Sequence, residues 1–251
     1  MNSDRHDSGK TLIYGACVAG LSHIRTGEEC QDSWKAEVIQ DMGSKRAVIA
    51  ISDGLGSALY AKKGSHIAVT AAISYLADNP GNVFDTVCYA RQELIRHAQD
   101  LVITPSDLAC TLIVVELTQE RVLIAHIGDG VVIGHEKESG AIILLSDPEP
   151  SEYINEVVPL TADDSVEHIR YKEERGINTI VAVTDGCQGA LLIREAGQLC
   201  PFEPFIRPLF EYFSHEMTDD TGSRALYGLL NSDKMKSVSD DDKTLVIAVV
   251  S

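Results

Sequence analysis

The sequence predicts an α+β fold, a sandwich of two mainly antiparallel sheets flanked by helix pairs. Three observations carry this expectation. Strand-like and helix-like stretches come in runs rather than in strict alternation, which argues against a doubly wound parallel sheet. Two long helical stretches follow one another with only "DNPGN" between them, a strong breaker. The strand-like stretches are short, β-branched or apolar, and bounded by Gly, Asp or Ser.

In chain order, a strand is expected over Leu12–Ala19, followed by strands Ala36–Met42 and Ala47–Ser52. A helix fits Lys62–Ala77, where Ile67, Ala71, Ile73 and Tyr75 surround an apolar stripe, and a second fits Val83–Leu101. Four strands come next, Cys110–Leu117, Val122–Ile127, Val131–His135 and Ile142–Leu145, and then Thr179–Val183. Helices over Pro204–His215 and Arg224–Leu230 precede a last strand, Leu245–Val250.

The 251 residues are 44% hydrophobic, enough for a sizeable core, and read as a single domain over 1–251 with residues 1–10 as a flexible polar N-terminus. No apolar run approaches the roughly 20 residues of a membrane span, and the first residues lack the apolar segment of a signal peptide. Six cysteines form no C-x-x-C pair, and several sit in apolar runs, as buried thiols of a reducing compartment do. The expected location is cytoplasmic. Thirty-eight acidic against 21 basic side chains give a net charge of -17, a surface that repels nucleic acid and anionic membranes. An anionic substrate would be repelled too, unless something positive intervenes locally.

The chain nearly repeats itself. "AVIAISDG" (47–54) and "IVAVTDG" (180–186) each run a buried-looking strand into a small hydroxyl residue, an acid and a glycine. Five aspartates stand out by context: Asp32 in "EECQDSW", Asp53, Asp129 in "HIGDGVV", Asp185, and Asp241 in "SDDDKTLVIAVV". Asp-Gly pairs are common turns, and each alone reads as structural. Together, acids delivered to one rim would repel unless protonated or neutralised by cations. All-oxygen ligands favour hard ions such as Mg²⁺ or Mn²⁺. Two such ions can activate a water and clamp the oxygens of a phosphoryl group, supplying the positive field that the chain lacks. A glycine after the acid lets a backbone carbonyl approach an ion closely.

The ordered series "CQD", "SDGLGS", "ACTLIVV", "HIGDGVV", "AVTDGCQG" and "DDKTLVIAVV" resembles the metal-dependent protein serine/threonine phosphatases of the PP2C type, in their compact bacterial branch. The resemblance spans about Gly15 to Val250. It implies a four-layer α-β-β-α sandwich with two Mn²⁺ or Mg²⁺ ions at one end and possible room for a third. Asp53 matches the bridging ligand, with Gly54 offering its carbonyl; Asp185 and Asp241 match the other direct ligands. Asp32 matches the acid that binds or orients metal-bound water, and Asp129 the acid that helps hold the outer ion. The segment "DPEPSEYINEVVPLT" falls where the family has a mobile flap. The activity implied is hydrolysis of phosphoserine and phosphothreonine in protein substrates by direct attack of water, opposed by a serine/threonine kinase. The alternative is a weak or inactive relative that binds phosphoproteins or a regulatory partner.

Four positions depart from the family pattern. Gln31 stands for a glutamate, Gly27 for a phosphate-binding arginine, Leu55 for a histidine used as general acid in some members, and Asp242 for an asparagine. His23 and Arg25, just before the first acid, are candidate substrate-binding groups that could contact phosphate, or else serve structure. His126 and Cys110 read as core residues. No nucleophile elbow, phosphate-binding P-loop or dinucleotide fingerprint is present.

Overall fold

The computed structural model describes residues 10–41, 44–148, 157–215 and 217–251. Nine of the ten residues expected as a flexible N-terminus, Met42, and residues 149–156 of the expected flap lie outside the described residues.

The chain begins with β1 (Thr11–Val18), a short helix α1 (Leu21–Thr26), β2 (Ser33–Asp41) and β3 (Ser44–Ser52). The long helices α2 (Ala61–Asp78) and α3 (Val83–Leu101) follow. Then come β4 (Leu112–Leu117), β5 (Arg121–Ile127), β6 (Val131–Glu136), β7 (Ile142–Ser146), β8 (Arg170–Arg175) and β9 (Ile177–Val183). The final part holds α4 (Gln188–Leu191), the hairpin β10 (Leu192–Glu195) and β11 (Gln198–Pro201), α5 (Glu203–Phe213), α6 (Asp219–Leu230), α7 (Asp233–Lys236) and β12 (Lys243–Val250).

Two five-stranded sheets result, in the orders β1-β12-β9-β6-β7 and β2-β3-β4-β5-β8. Neighbouring strands in both are antiparallel, as the sequence predicts. Successive side chains of a strand point to opposite faces. On β3, Ile49 and Ile51 face the other sheet, where they meet Ile180, Ala182, Val246 and Ala248. Val48 and Ala50 face α2 and α3, against Ala68, Ile73, Leu76, Val87 and Leu94. On β12, Leu245 and Ile247 face α5 and α6, meeting Ile206, Phe210 and Leu226. Strands with both faces covered read as unbroken apolar runs, which is why "AVIAIS" and "LVIAVV" show no alternation. Each such buried aliphatic side chain contributes about 1.5–3 kcal/mol.

The break between α2 and α3 is secured from the sheet. Arg46 on β3 donates to the carbonyls of Leu76 at 2.9 Å and Ala77 at 2.5 Å, and pairs with Glu116 of β4 at 3.0 Å. Glu116 also accepts from the Gly81 amide at 3.1 Å. Both charges are buried, so neither can be lost without stranding the other in the core.

Some boundaries differ from expectation. α6 begins at Asp219, five residues before Arg224, because the Thr218 hydroxyl caps it by accepting from the Thr221 amide. β2 begins at Ser33 rather than Ala36, paired with Ser52 across β3. β8 lies outside the expected elements, since "RYKEER" is a polar edge strand with no apolar signal. The short elements α1, α4, α7, β10 and β11 are also additions to the expected set, being too short for periodicity to register.

Candidate metal centre

All five singled-out aspartates lie in or beside connections: Asp53 just after β3, Asp129 between β5 and β6, Asp185 just after β9, Asp32 just before β2, and Asp241 just before β12. The echoed strands β3 and β9 belong to different sheets, and the Asp185 charge reaches Asp53, so the two sheets bring these acids into one neighbourhood.

Each acid is positioned by residues the sequence makes available locally. Asp53 is held by Thr111: its amide donates to the Thr111 hydroxyl at 3.0 Å, and its carbonyl accepts from the Thr111 amide at 2.8 Å. Ser52, the hydroxyl residue before it, donates to the Thr111 carbonyl at 2.5 Å. Thr111 in turn packs over Gly128, where a Cβ would lie 2.5 Å from its side chain and where φ is +111°. Glycine is required there on both counts. It brings Asp129 past Thr111, and Arg170 of β8 secures the same turn by donating to the Gly128 carbonyl at 2.6 Å.

Asp32 is buried, and one carboxylate oxygen, Oδ2, accepts from the hydroxyls of Thr184 and Thr244, each at 2.8 Å. Thr184 is the hydroxyl residue of the second echo, so in both copies that position pins an acid or its strand. The other oxygen of Asp32, Oδ1, is buried without a donor. Asp53 lies close enough to Asp32 for a proton to be shared between them, but two ionised carboxylates have none to share.

Asp241 is placed by a folded loop. Its amide donates to Ser239 Oγ at 3.0 Å, and buried Lys243 donates to the carbonyls of Ser239 and Asp241, each at 2.7 Å. The backbone of this loop passes between two glycines. A Cβ at Gly20 would come 2.3 Å from the Asp240 carbonyl oxygen, and one at Gly186 would come 1.9 Å from that of Asp242. Gly54 has a similar reason: its Cβ would lie 2.6 Å from the Ala61 carbonyl oxygen and 2.9 Å from that of Gln31. Backbone crowding by the protein itself therefore demands glycine at Gly54, a cause that no local sequence signal carries.

The electrostatics record the crowding. Burial, then the charges of Asp32 and Asp185, hold the Asp53 carboxyl well above the ordinary range, with Asp241 adding to the effect. Burial pushes Asp32 up to about 6, against the lowering effect of its hydrogen bonds. Burial, followed by the charges of Asp129, Asp241 and Asp32, pushes Asp185 up to about 7. Among the described residues, no three His, Cys, Asp or Glu side chains already close on one point at ligand distance. The acids share a neighbourhood rather than a finished coordination shell. Even so, the donor set fits a hard cation: it is all carboxylate, it repels itself, and it includes an orphaned buried oxygen.

His23 and Arg25 lie on α1. His23 Nδ1 is 2.9 Å from both carboxylate oxygens of Asp242, which also accept from the amides of Gly20 at 2.7 Å and Gln31 at 2.5 Å. Asp242 thus ties α1 and the Asp32 segment to the start of β12. Arg25 pairs with Asp240 at the surface. Gly27 closes α1 at φ 78°, a left-handed position that explains a glycine there. His23→Ala is expected to cost about 1.5–3 kcal/mol, the range for a hydrogen bond to a charged group. Arg25→Ala is expected to leave stability nearly unchanged, since exposed ion pairs contribute little. Urea denaturation in chelator measures both.

His126 is a core residue, as expected. It is fully buried, 2.8 Å from Ser146 Oγ, and its pKa lies well below the ordinary value because of burial and then Arg170. Cys110 is likewise buried, its thiol pushed up to about 12 by burial, and Cys187 is raised for the same reason. Neither is a poised nucleophile. Asp242, noted in the sequence only as a departure from the family pattern, supports the site, as do Thr111, Thr184, Thr244 and Arg170, which do not stand out there. Only Thr184, through the "TDG" echo, leaves a local signal.

The family model of protein phosphatase 2C matches residues 19–231. The chain is 28% identical over 255 residues to serine/threonine-protein phosphatase 3 of Escherichia coli (strain K12), covering 95% of this chain and 97% of that protein. Among solved structures, its fold is similar to that of the serine/threonine phosphatase Stp1 from Staphylococcus aureus, with TM-score 0.63 at 12% identity over 97% of this chain and 95% of that one. It is also similar to the catalytic domain of the serine/threonine protein phosphatase PstP in complex with two manganese ions, with TM-score 0.61 at 17% identity over 96% and 98%. The family match takes in Asp32, Asp53, Asp129 and Asp185, and the chain belongs to the protein phosphatase 2C family of serine/threonine phosphatases.

Proposed function

We propose that this chain removes phosphate from phosphoserine and phosphothreonine in protein substrates at the carboxylate cluster, loaded with Mn²⁺ or Mg²⁺. The observation that carries the reading is the gathering of five aspartates from the connections of both sheets, where the charges of Asp32, Asp129, Asp185 and Asp241 raise the proton affinity of Asp53, Asp185 or both. A complex with two manganese ions is recorded for the PstP catalytic domain, which supports a two-ion loading here. In this reading Asp53, Asp185 and Asp241, with the Gly54 carbonyl, hold the ions, and Asp129 serves a third, outer one. The metal supplies charge neutralisation for the phosphoryl oxygens and a water acidic enough to attack at neutral pH. Asp32, fixed by Thr184 and Thr244, presents its unpaired Oδ1 to orient that water. His23 and Arg25 stand beside the centre as candidate phosphate contacts. No cysteine takes part.

Among the described residues, no helix is long and apolar enough to cross a membrane. A single domain over 1–251 working in the cytoplasm against a serine/threonine kinase completes the proposal. Phosphoserine, phosphothreonine and phosphotyrosine peptides, assayed with Mn²⁺, with Mg²⁺ and with EDTA, test it. Turnover of the first two is expected with metal, lost in EDTA and restored by added Mn²⁺. Undiminished turnover in chelator would overturn the metal role. Tight Mn²⁺ binding without turnover would favour a phosphoprotein-binding module instead.

A further inference from the structure

A cavity of about 620 Å³ opens beside the Asp32 and Gly54 segments. Its lining includes Gln31 and Ala61, the two residues that crowd Gly54, and Lys62, whose ammonium donates to the Asp32 carbonyl at 2.8 Å. One wall is the start of α2. Lys62 and His66 lie one turn apart on that helix with Lys63 beside them, so the wall is basic. Glu28 and Glu29 also line the cavity. At its edge, Leu59 is 72% exposed and Tyr60 is 42% exposed.

The basic wall is unusual in a chain of net charge -17. The side chains of Lys63 and His66 are exposed and take part in no hydrogen bond or ion pair among the described residues, although acids are plentiful. The Lys63 charge is therefore available to a ligand entering the cavity, with the His66 ring beside it as a further hydrogen-bonding group. An anionic group entering this cavity would meet that charge.

The geometry points to a substrate subsite: the cavity receives the residues flanking the phosphorylated one, and the α2 wall selects an acidic side chain there. This rests on the phosphatase reading and adds a specificity to it. Glu28 and Glu29 disfavour an acid on their side, so the charge difference across the cavity also orients the peptide. Leu59 and Tyr60 offer apolar contact at the edge, where the peptide would leave.

The test is a set of phosphoserine peptides identical except for Glu, Ala or Lys placed in turn at each flanking position, assayed with Mn²⁺ on the full chain. Hydrolysis of p-nitrophenyl phosphate, which has no flanking residues, sets the scale for each protein variant. At one or more positions the wild type is expected to favour Glu over Lys by about fivefold in kcat/KM, mainly through KM, as one partly solvated charge pair allows. Lys63→Glu, and independently His66→Glu, should remove or invert that ratio. Both residues are exposed, so neither change threatens the core. A wild type indifferent to the flanking charge, or a ratio unmoved in both variants, would overturn the subsite. Absence of any Mn²⁺-dependent turnover of p-nitrophenyl phosphate by the wild type would instead remove the phosphatase reading beneath it.

Discussion

Asp53→Asn is expected to lower Mn²⁺ affinity and turnover together by more than roughly a hundredfold, beyond the usual cost of losing an outer partner of a metal ligand. The change disturbs little else. Thr111 holds the backbone of residue 53 through both its amide and its carbonyl, and neither contact involves the side chain. The substitution removes one negative charge from the middle of the cluster while nearly keeping shape. It also supplies an amide donor within reach of the Asp32 carboxylate, one oxygen of which is without a donor. In chelator the variant should therefore melt at the same temperature as the wild type or higher, because a like-charge repulsion is relieved. Asp185→Asn should act in the same direction but weaken one ion more than the other. Isothermal titration with Mn²⁺ and thermal melts in EDTA measure the two quantities. An Asp53→Asn protein that binds Mn²⁺ as tightly as wild type, or that melts well below it without metal, would return the aspartates to the status of structural turns.

The opposite directions expected for function and apo stability follow from the cluster's origin. Its acids are brought together by contacts that owe nothing to their charges: strand register, the Thr111 clamp, and the close passage of the 240–242 backbone over Gly20 and Gly186. Such a scaffold can hold repelling groups close because the stabilisation resides elsewhere, in the apolar layers between and outside the sheets.

The same division decides what the sequence makes legible. β3, β9 and β12 are buried on both faces, so each is an unmistakable apolar run, and the acid at its end is visible as a break in that run. The pairing of α2 with α3 is visible through its Pro-Gly breaker. Features whose cause lies far along the chain are invisible. The Asp32 carboxylate depends on Thr244, 212 residues away, and His23 depends on Asp242, 219 residues away. Edge strand β8 is solvated and carries charges where a buried strand carries valines, so no periodic signal exists to read. Gly27 reads in the sequence as a lost phosphate group; its backbone conformation shows a helix terminus with its own requirement for glycine.

In chelator, stability is expected to rise as pH falls from about 8 to about 5, the reverse of what ordinary paired carboxylates produce. Asp32 and Asp185 have folded-state values pushed up from 3.8 to about 6 and about 7, and Asp53 stands well above the same reference. A carboxyl raised in the folded state is bound to its proton more tightly there than in the unfolded chain. Its contribution is fully present below the unfolded value and is lost as pH climbs through the folded one. Between about pH 5 and 8 the folded protein therefore holds more protons than the unfolded chain, and raising the pH destabilises it. Each tenfold change in proton affinity corresponds to about 1.4 kcal/mol, so the cluster should move apo stability by a few kcal/mol across this window. With saturating Mn²⁺ the trend should reverse, because ions compete with protons for the same oxygens and bind better as pH rises. Thermal melts across the window, in EDTA and in Mn²⁺, give two curves of opposite slope if the carboxylates are gathered as described. Asp53→Asn and Asp185→Asn should each flatten the EDTA curve. An apo melting temperature that climbs with pH through the same window would mean that these acids titrate as separate, solvated groups, and the cluster would lose its claim to be a cation site.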